Sequence, residues 1–284
     1  MTDAGSGHPG VPLSHLPADE KLLRSGSFGA VAPHYERFRP GPPIAAVNWL
    51  LPIHVERVVD LGAGTGALTR LLIDLADDVV AIEPDERMRS VLVQEVPDAR
   101  AMAGRGESMP LPDGSVDAVL ASSSWHWMDP TPALHEVARI LKPDGTLGAL
   151  WSGPDPDGPF MAQARALLED RSGAGAGGDD ERTDSVTGLI LGDALRPASS
   201  LEIPEGVPFG PPEHDVFTWD VALDADGLIG LLGTLSWIIT MPEETRNTVV
   251  AEARRLLAEL LGVEGDVTVD IAFRSDVWRT TRTN

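Results

Sequence analysis

Residues 58–66 read Val58-Val59-Asp60-Leu61-Gly62-Ala63-Gly64-Thr65-Gly66, and the fold follows from this stretch. Val58 and Val59 have the β-branched, apolar character of a buried parallel strand near its end. Glycines at the alternate positions 62, 64 and 66 then make a turn that side chains would obstruct. Behind it, Ala67, Leu68, Leu71, Leu72 and Leu75 recur at helical spacing. Strand, glycine loop and helix therefore follow one another directly. Such a loop lets a ligand approach the backbone, while unpaired amides at the helix start attract an anionic group. A small-molecule cofactor site is expected here.

Two cofactor classes fit the glycines. Gly62, Gly64 and Ala67 match the GxGxxA pattern of dinucleotide-binding turns. Asp60, two residues before the first glycine, sets a carboxylate where a pyrophosphate needs none and a cationic ammonium group is well served. Asp60, Gly62, Gly64 and Gly66 resemble the D/E-x-G-x-G-x-G motif of the class I S-adenosylmethionine-dependent methyltransferases. The resemblance implies an α/β fold: a doubly wound, Rossmann-like sheet, mostly parallel with a C-terminal antiparallel strand, plus a helical cap. It also implies S-adenosyl-L-methionine as cofactor, with Asp60 facing its methionine amino end directly or through water.

Composition narrows the partners. The 284 residues hold 22 Lys plus Arg against 44 Asp plus Glu, a formal charge of −22 that repels phosphate backbones and disfavours nucleic-acid substrates. Lys21 and Lys142 are the only lysines, which together with abundant Ala, Gly, Pro and Arg suggests a GC-rich bacterial coding bias. Cysteine is absent, which removes disulfides, thiolate nucleophiles and cysteine metal ligands together. The longest uncharged run, Gly227 to Pro242, is too short and too interrupted by glycine to span a bilayer. With no basic start and apolar run at the N-terminus, a soluble cytoplasmic protein is expected, with no membrane partner. Its oligomeric state is not legible.

Three segments are expected along the chain. Residues 1–26 read as a disordered tail, and His8 and His15 lack the companions a metal site needs. Residues 27–152 read as the cofactor-binding core with an N-terminal cover, and 153–284 as a mobile insertion, a helical cap and closing strands of the same domain. Within the insertion, Arg171 to Ser185 is glycine-rich, low-complexity sequence that suits a surface insertion better than a lid. No metal site is expected.

The cover is SFGAVAPHYERFRPGPP, residues 27–43, where Phe28, Tyr35 and Phe38 lie on a short helix ended by Pro40, Pro42 and Pro43. It resembles the Y-x-x-x-R-P segment of small-molecule methyltransferases of the trans-aconitate and ubiquinone-pathway group. That resemblance implies Tyr35 near the reactive sulfonium and Arg39 near the methionine carboxylate. Packing for Tyr35 and a surface ion pair for Arg39 are the equal alternatives.

Glu83, about twenty positions past the glycine loop and ending the strand Val79 to Ile82, is placed to accept both ribose hydroxyls. Pro84 and Met88 lie beside it for adenine contact, with core packing the alternative for Met88. The run GRGESMPLPDGSVDAVL, from residue 104, resembles a second methyltransferase pattern that implies Gly106 at the adenine edge with Glu107 close by. Arg105 departs from it, standing where many relatives carry an adenine-binding Asp.

The strand Val116 to Ala121 leads into Ser122-Ser123-Ser124-Trp125-His126-Trp127-Met128-Asp129. Ligands of open α/β sheets bind outside strand carboxyl ends, so Ser122 is expected at the cofactor and Trp125, His126 and Trp127 at the acceptor. These residues also resemble the group's x-x-A-F-H-W-F-D motif. Thr131 is expected to cap the following helix, and Thr146 to Trp151 to form the fifth strand.

Methyl transfer needs alignment of acceptor and methyl above all, and a base only where the acceptor must lose a proton. Tyr35 and His126 are the candidate catalytic groups, His126 as that base or as a residue packed by its tryptophans. A nicotinamide-dependent reductase and a cofactor-binding protein without methyl transfer are the rivals. Asp60 and the Gly106-Glu107 segment argue against the reductase.

Overall fold

The computed structural model describes residues 16–164, 166, 200–261 and 267–283. His8, His15 and the stretch Arg171 to Ser185 lie outside the described residues. By internal contacts the chain forms two compact units. One comprises Phe28–Ser152, Ser199–Thr218 and Arg274–Asn284; the other comprises Met1–Ser27, Gly153–Ala198 and Trp219–Phe273.

Seven strands make one sheet: β1 (Arg57–Leu61), β2 (Asp78–Ile82), β3 (Arg100–Met102), β4 (Val116–Ser122), β5 (Leu141–Pro154), β6 (Glu213–Leu223) and β7 (Val269–Thr281). Their order is β3-β2-β1-β4-β5-β7-β6. The pairs β1–β2, β1–β4, β2–β3 and β4–β5 are parallel. β7 runs antiparallel to β5, as the backbone bonds Asp155 to Ala272 and Arg282 to Gly145 require. This is the Rossmann-like sheet with its antiparallel C-terminal strand. β1 lies at the centre, with β2 and β4 on its two sides, so the order reverses beside its carboxyl end. That reversal is where open α/β sheets bind ligands.

In the first unit, the helices are α2 (Ala32–Phe38), α3 (Ile44–Leu50), α4 (Ala67–Leu72), α5 (Glu86–Glu95) and α6 (Pro130–Ile140). Val58 and Val59 of β1 are both fully buried, yet they join different apolar clusters. Val59 packs with α6 residues such as Leu134 and Val137, whereas Val58 packs with Ala46, Leu50, Leu68 and Leu72 of α3 and α4. Period-two alternation on a strand covered on both faces produces that split.

Local readings of this unit change in two places. α6 starts at Pro130 behind Asp129, so Thr131 lies inside the helix rather than capping it. The Asp129 amide donates to the Glu107 carboxylate at 2.8 Å. β5 begins at Leu141, not Thr146: Pro143 disfavours helical geometry at Lys142, and a shift between Val116↔Leu141 and Ala118↔Thr146 takes up the extra residues.

The second unit contains α1 (Ala18–Ser25), α7 (Ala225–Leu232), α8 (Ser236–Ile239) and α9 (Glu243–Leu261). Asp224 caps α7, its carboxylate accepting from the Gly227 amide at 2.7 Å. Leu228, Leu231, Trp237, Ile238, Ala253 and Leu256 form its apolar centre. α1 corrects the reading of residues 1–26 as tail throughout. Arg24 is buried there and pairs with Glu20 one turn earlier, and α1 touches α8, so 18–25 is packed helix. Among the described residues no helix is long and apolar enough to cross a membrane.

Candidate active site

The glycine loop links β1 to α4. Gly62, Gly64 and Gly66 all have positive φ, at 70°, 58° and 100°. At Gly62 the requirement is double, because a Cβ there would also lie 2.5 Å from the Ser124 Cβ. Ser124 closes in because its hydroxyl donates to the Leu61 carbonyl at 2.5 Å, which ties the loop after β4 to the end of β1. Its neighbour Ser123 carries φ 51°, a strained value for a side-chain-bearing residue.

Asp60 lies beneath this loop, fully buried. Its Oδ2 accepts from the Thr69 hydroxyl of α4 at 2.6 Å, and its Oδ1 has no hydrogen-bond partner. Burial pushes the carboxyl up to about 7; the Thr69 bond opposes the rise and the nearby Glu83 charge adds to it. A buried carboxylate with one unpartnered oxygen has room in its hydrogen bonding for a cationic group. That donor set fits an ammonium group and does not fit a pyrophosphate.

Glu83 ends β2 and is also buried. One carboxylate oxygen accepts from the Gly64 amide and the other from the Asp85 amide, each at 2.9 Å. Burial raises its carboxyl above the usual range, while those two amides pull it down. Glu83 is thus fixed against the glycine loop itself, with a second lone pair left on each oxygen. Met88 is buried with its Cε 3.4 Å from the Cβ position of Gly64, whereas Pro84 is exposed.

Gly106 is buried where any side chain would strike Met128, 2.4 Å from its sulfur. It sits in a tight turn closed by mutual Arg105–Ser108 backbone bonds. Glu107 holds the Asp129 amide, so it braces the loop after β4. The Arg105 side chain is 63% exposed, facing away from any buried recognition role.

The cover segment packs in the same unit. After a short 3-10 turn at Phe28–Val31, α2 carries Tyr35 and ends at Arg39. Glu36 pairs with Arg70 of α4 at 2.6 Å, and Gly29 lies against the Asp85 and Arg87 side chains. A Cβ added at Gly41 would lie 3.4 Å from the Ala67 carbonyl oxygen at the start of α4. The segment therefore crosses from the end of β2 to the helix behind the glycine loop, with Tyr35 and Arg39 both half-buried.

Aromatic groups line the loop after β4. The Phe28 ring meets both Tyr35 and Trp127 edge-on, each at 5.7 Å between centroids. The His126 ring lies 4.7 Å from that of Trp127. The Trp151 indole Nε1–H donates to His126 Nδ1 at 2.9 Å. Trp125 is buried in the core, so of the two tryptophans Trp127 belongs to this aromatic group and Trp125 anchors the loop. Ser122, at the end of β4, is half-buried.

Thr69 and Trp151 escaped the motif reading, while Ser123 and Ser124 lay within the stretch after β4 expected to face the ligands without a role of their own. The Ser-Ser-Ser run directly after an apolar strand was the available signal for the serines. Thr69 and Trp151 had none, since each acts through a partner in another element. Among the described residues no cluster of three His, Cys, Asp or Glu side chains could hold a metal ion.

The methyltransferase-domain family matches residues 59–149, the span from β1 through β5. An uncharacterized methyltransferase of Mycobacterium bovis is 38% identical over 232 residues, covering 82% of this chain and 86% of its own. An uncharacterized methyltransferase-like protein of Schizosaccharomyces pombe is 27% identical, covering 85% and 90%. Among solved structures, a candidate type II methyltransferase from Anaeromyxobacter dehalogenans superposes with a TM-score of 0.56 at 22% identity, covering 86% of this chain and 98% of that one.

Proposed function

Because this chain belongs to the class I S-adenosylmethionine-dependent methyltransferases, we propose that it methylates a small-molecule acceptor, chiefly by holding acceptor and cofactor in alignment. The observation that carries this reading is the buried Asp60 carboxylate, with an orphaned oxygen beneath a loop of three positive-φ glycines. In this reading Asp60 supplies the charge for the methionine ammonium group and Arg39 pairs with the methionine carboxylate. Glu83 takes the ribose hydroxyls on its remaining lone pairs. Gly62, Gly64 and Gly66 let the ligand reach the backbone, and Ser122 borders it from β4. Pro84, Met88, Gly106 and Glu107 surround the adenine, the last by bracing its loop.

Bound S-adenosylmethionine supplies a methyl group on a sulfonium, with the leaving group built in. What remains for the protein is proximity, and near-attack alignment alone supplies a large part of a barrier reduction of this kind. Tyr35, Trp127 and His126 wall the acceptor side. Their aromatic surface suits a small organic acceptor, and the formal charge of −22 disfavours a nucleic acid.

Calorimetry with S-adenosylmethionine and with NADH tests the cofactor assignment: heat with the first alone is expected, and heat with NADH alone would overturn it. Mass spectrometry for the gain of one methyl across a metabolite library tests the transfer. Tight cofactor binding with methylation of proteins or nucleic acid instead would refute a small-molecule acceptor.

A further inference from the structure

We infer that Trp151 is a positioning residue that locks His126 as its Nε2–H tautomer, so that neither imidazole nitrogen serves the acceptor side as a proton acceptor. The inference rests on the reading of the site as a methyltransferase centre. It begins from one bond, Trp151 Nε1–H to His126 Nδ1 at 2.9 Å.

An indole nitrogen can only donate, because its lone pair belongs to the ring. Nδ1 of His126 must therefore present a lone pair to it. In a neutral imidazole one nitrogen accepts and the other carries the hydrogen, so Nε2 is the protonated one. Each nitrogen is thereby excluded as a base for a different reason. Nε2 already holds its proton. Nδ1 can take one only by turning an N–H against the N–H of Trp151, whose side chain is 2% exposed and would be left as a buried donor without an acceptor.

The frame resists a ring flip that would exchange the nitrogens. The His126 ring is near-parallel to Trp151, 28° between planes, and is flanked by Trp127 at 4.7 Å. Trp151 is in turn fixed on β5 within the main apolar cluster. His126 rides on a three-residue 3-10 turn, Trp125–Trp127, whose first member is buried. The Trp151 end of the bond is held by the core, and the His126 end by the short turn that Trp125 anchors.

The consequence is chemical. In the transfer, the acceptor's lone pair forms the new bond to the methyl carbon while the carbon–sulfur electron pair returns to sulfur. Any proton on the acceptor leaves to water, not to His126. The acceptor class is therefore a nucleophile whose lone pair is already free at the working pH.

The test is the protonation pattern of the imidazole. In full-length protein labelled with 15N-histidine, His126 is assigned by the loss of its signals in His126→Gln. Long-range 1H–15N correlation at pH about 8 should show Nδ1 without a hydrogen and Nε2 with one, before and after addition of S-adenosylhomocysteine. A hydrogen on Nδ1, or a mixture of tautomers in either state, overturns the proposal. Trp151→Phe should release the lock and give the mixture; an unchanged His126 pattern there would show that Trp151 is not the holder. Should that variant not fold, scalar coupling across the Trp151 Nε1–H to His126 Nδ1 bond in the parent protein decides the same point, its absence refuting the lock. Calorimetry with S-adenosylmethionine on the same samples separates the two ideas: missing heat sinks the proposed function and leaves the tautomer result standing.

Discussion

The carboxyl ends of β1 and β2 and those of β4 and β5 lie side by side in the sheet, yet they are built from different chemistry. In the proposed reading, recognition on the first side rests on backbone shape and two buried carboxylates, Asp60 and Glu83, each fixed by short hydrogen bonds. On the second side it rests on aromatic surface from Trp127 and its neighbours, with one directional bond between Trp151 and His126. A positive-φ glycine or a buried charge has few substitutes, so the first side is demanding in residue type. Aromatic surface is interchangeable and can be reshaped, so the second side is the one free to suit a particular acceptor. Under the proposed function, the contrast makes cofactor chemistry fixed and acceptor chemistry adjustable.

The largest expected effect falls on Asp60. Its folded pKa of about 7 lies above the unfolded value of 3.8, so the folded state binds the proton more tightly. Stability is therefore greatest below the unfolded value and is lost as pH rises through the window up to the folded one. Relative to Asp60→Asn, the unliganded parent should lose about 4 kcal/mol across that window, at about 1.4 kcal/mol for each tenfold in the protonation equilibrium. Denaturant midpoints of both proteins at several pH values read this difference directly. Saturating S-adenosylmethionine should restore much of the loss in the parent and little in the variant. A pH-independent difference between the two would show that Asp60 is not held protonated by burial.

Gly62→Ala comes next. Positive φ and the Ser124 Cβ at 2.5 Å act together, so about 3 kcal/mol of stability should be lost along with cofactor binding. Thermal unfolding and calorimetry check it. A variant that unfolds with the parent would mean the loop relaxes without cost.

Glu83→Ala should cost S-adenosylmethionine about 1.5–3 kcal/mol of binding, a loss on the order of ten- to a hundredfold. An unchanged dissociation constant would remove Glu83 from the ribose. The smallest effect on cofactor belongs to the aromatic side. Trp127→Ala should lower stability by about 1 kcal/mol through its lost edge-on contact with Phe28 while cofactor affinity stays within about threefold. A large drop in cofactor affinity would erase the contrast between the two sides.

That contrast also explains how far the chain could be read. The strands β1, β2, β4 and the later part of β5 were legible because each is an apolar run followed by a turn or a helical stripe, a pattern set by local periodicity. Glu83 was legible from its distance to Gly62, since a strand, loop and helix fix the spacing between adjacent strand ends. Residues 18–25 were not: an eight-residue helix beside a glycine-rich tail has no pattern of its own, and Arg24 is buried only because α1 packs against α8. The cap of α6 was misplaced at Thr131 because the helix already begins at Pro130, with Asp129 as the residue before its first turn.

Sequence alone determined the glycine loop, the acidic residues at two strand ends and the family they imply, because all of these depend on residue type at short range. Only the tertiary structure decided how those groups are charged and which hydrogen each one holds. Asp60 becomes a proton-binding carboxyl because the sheet and α4 exclude water from it. His126 Nδ1 becomes an acceptor because β5 brings Trp151 to it from twenty-five residues away. Protonation answers to the local dielectric and to partners, and both are assembled by contacts distant in the chain.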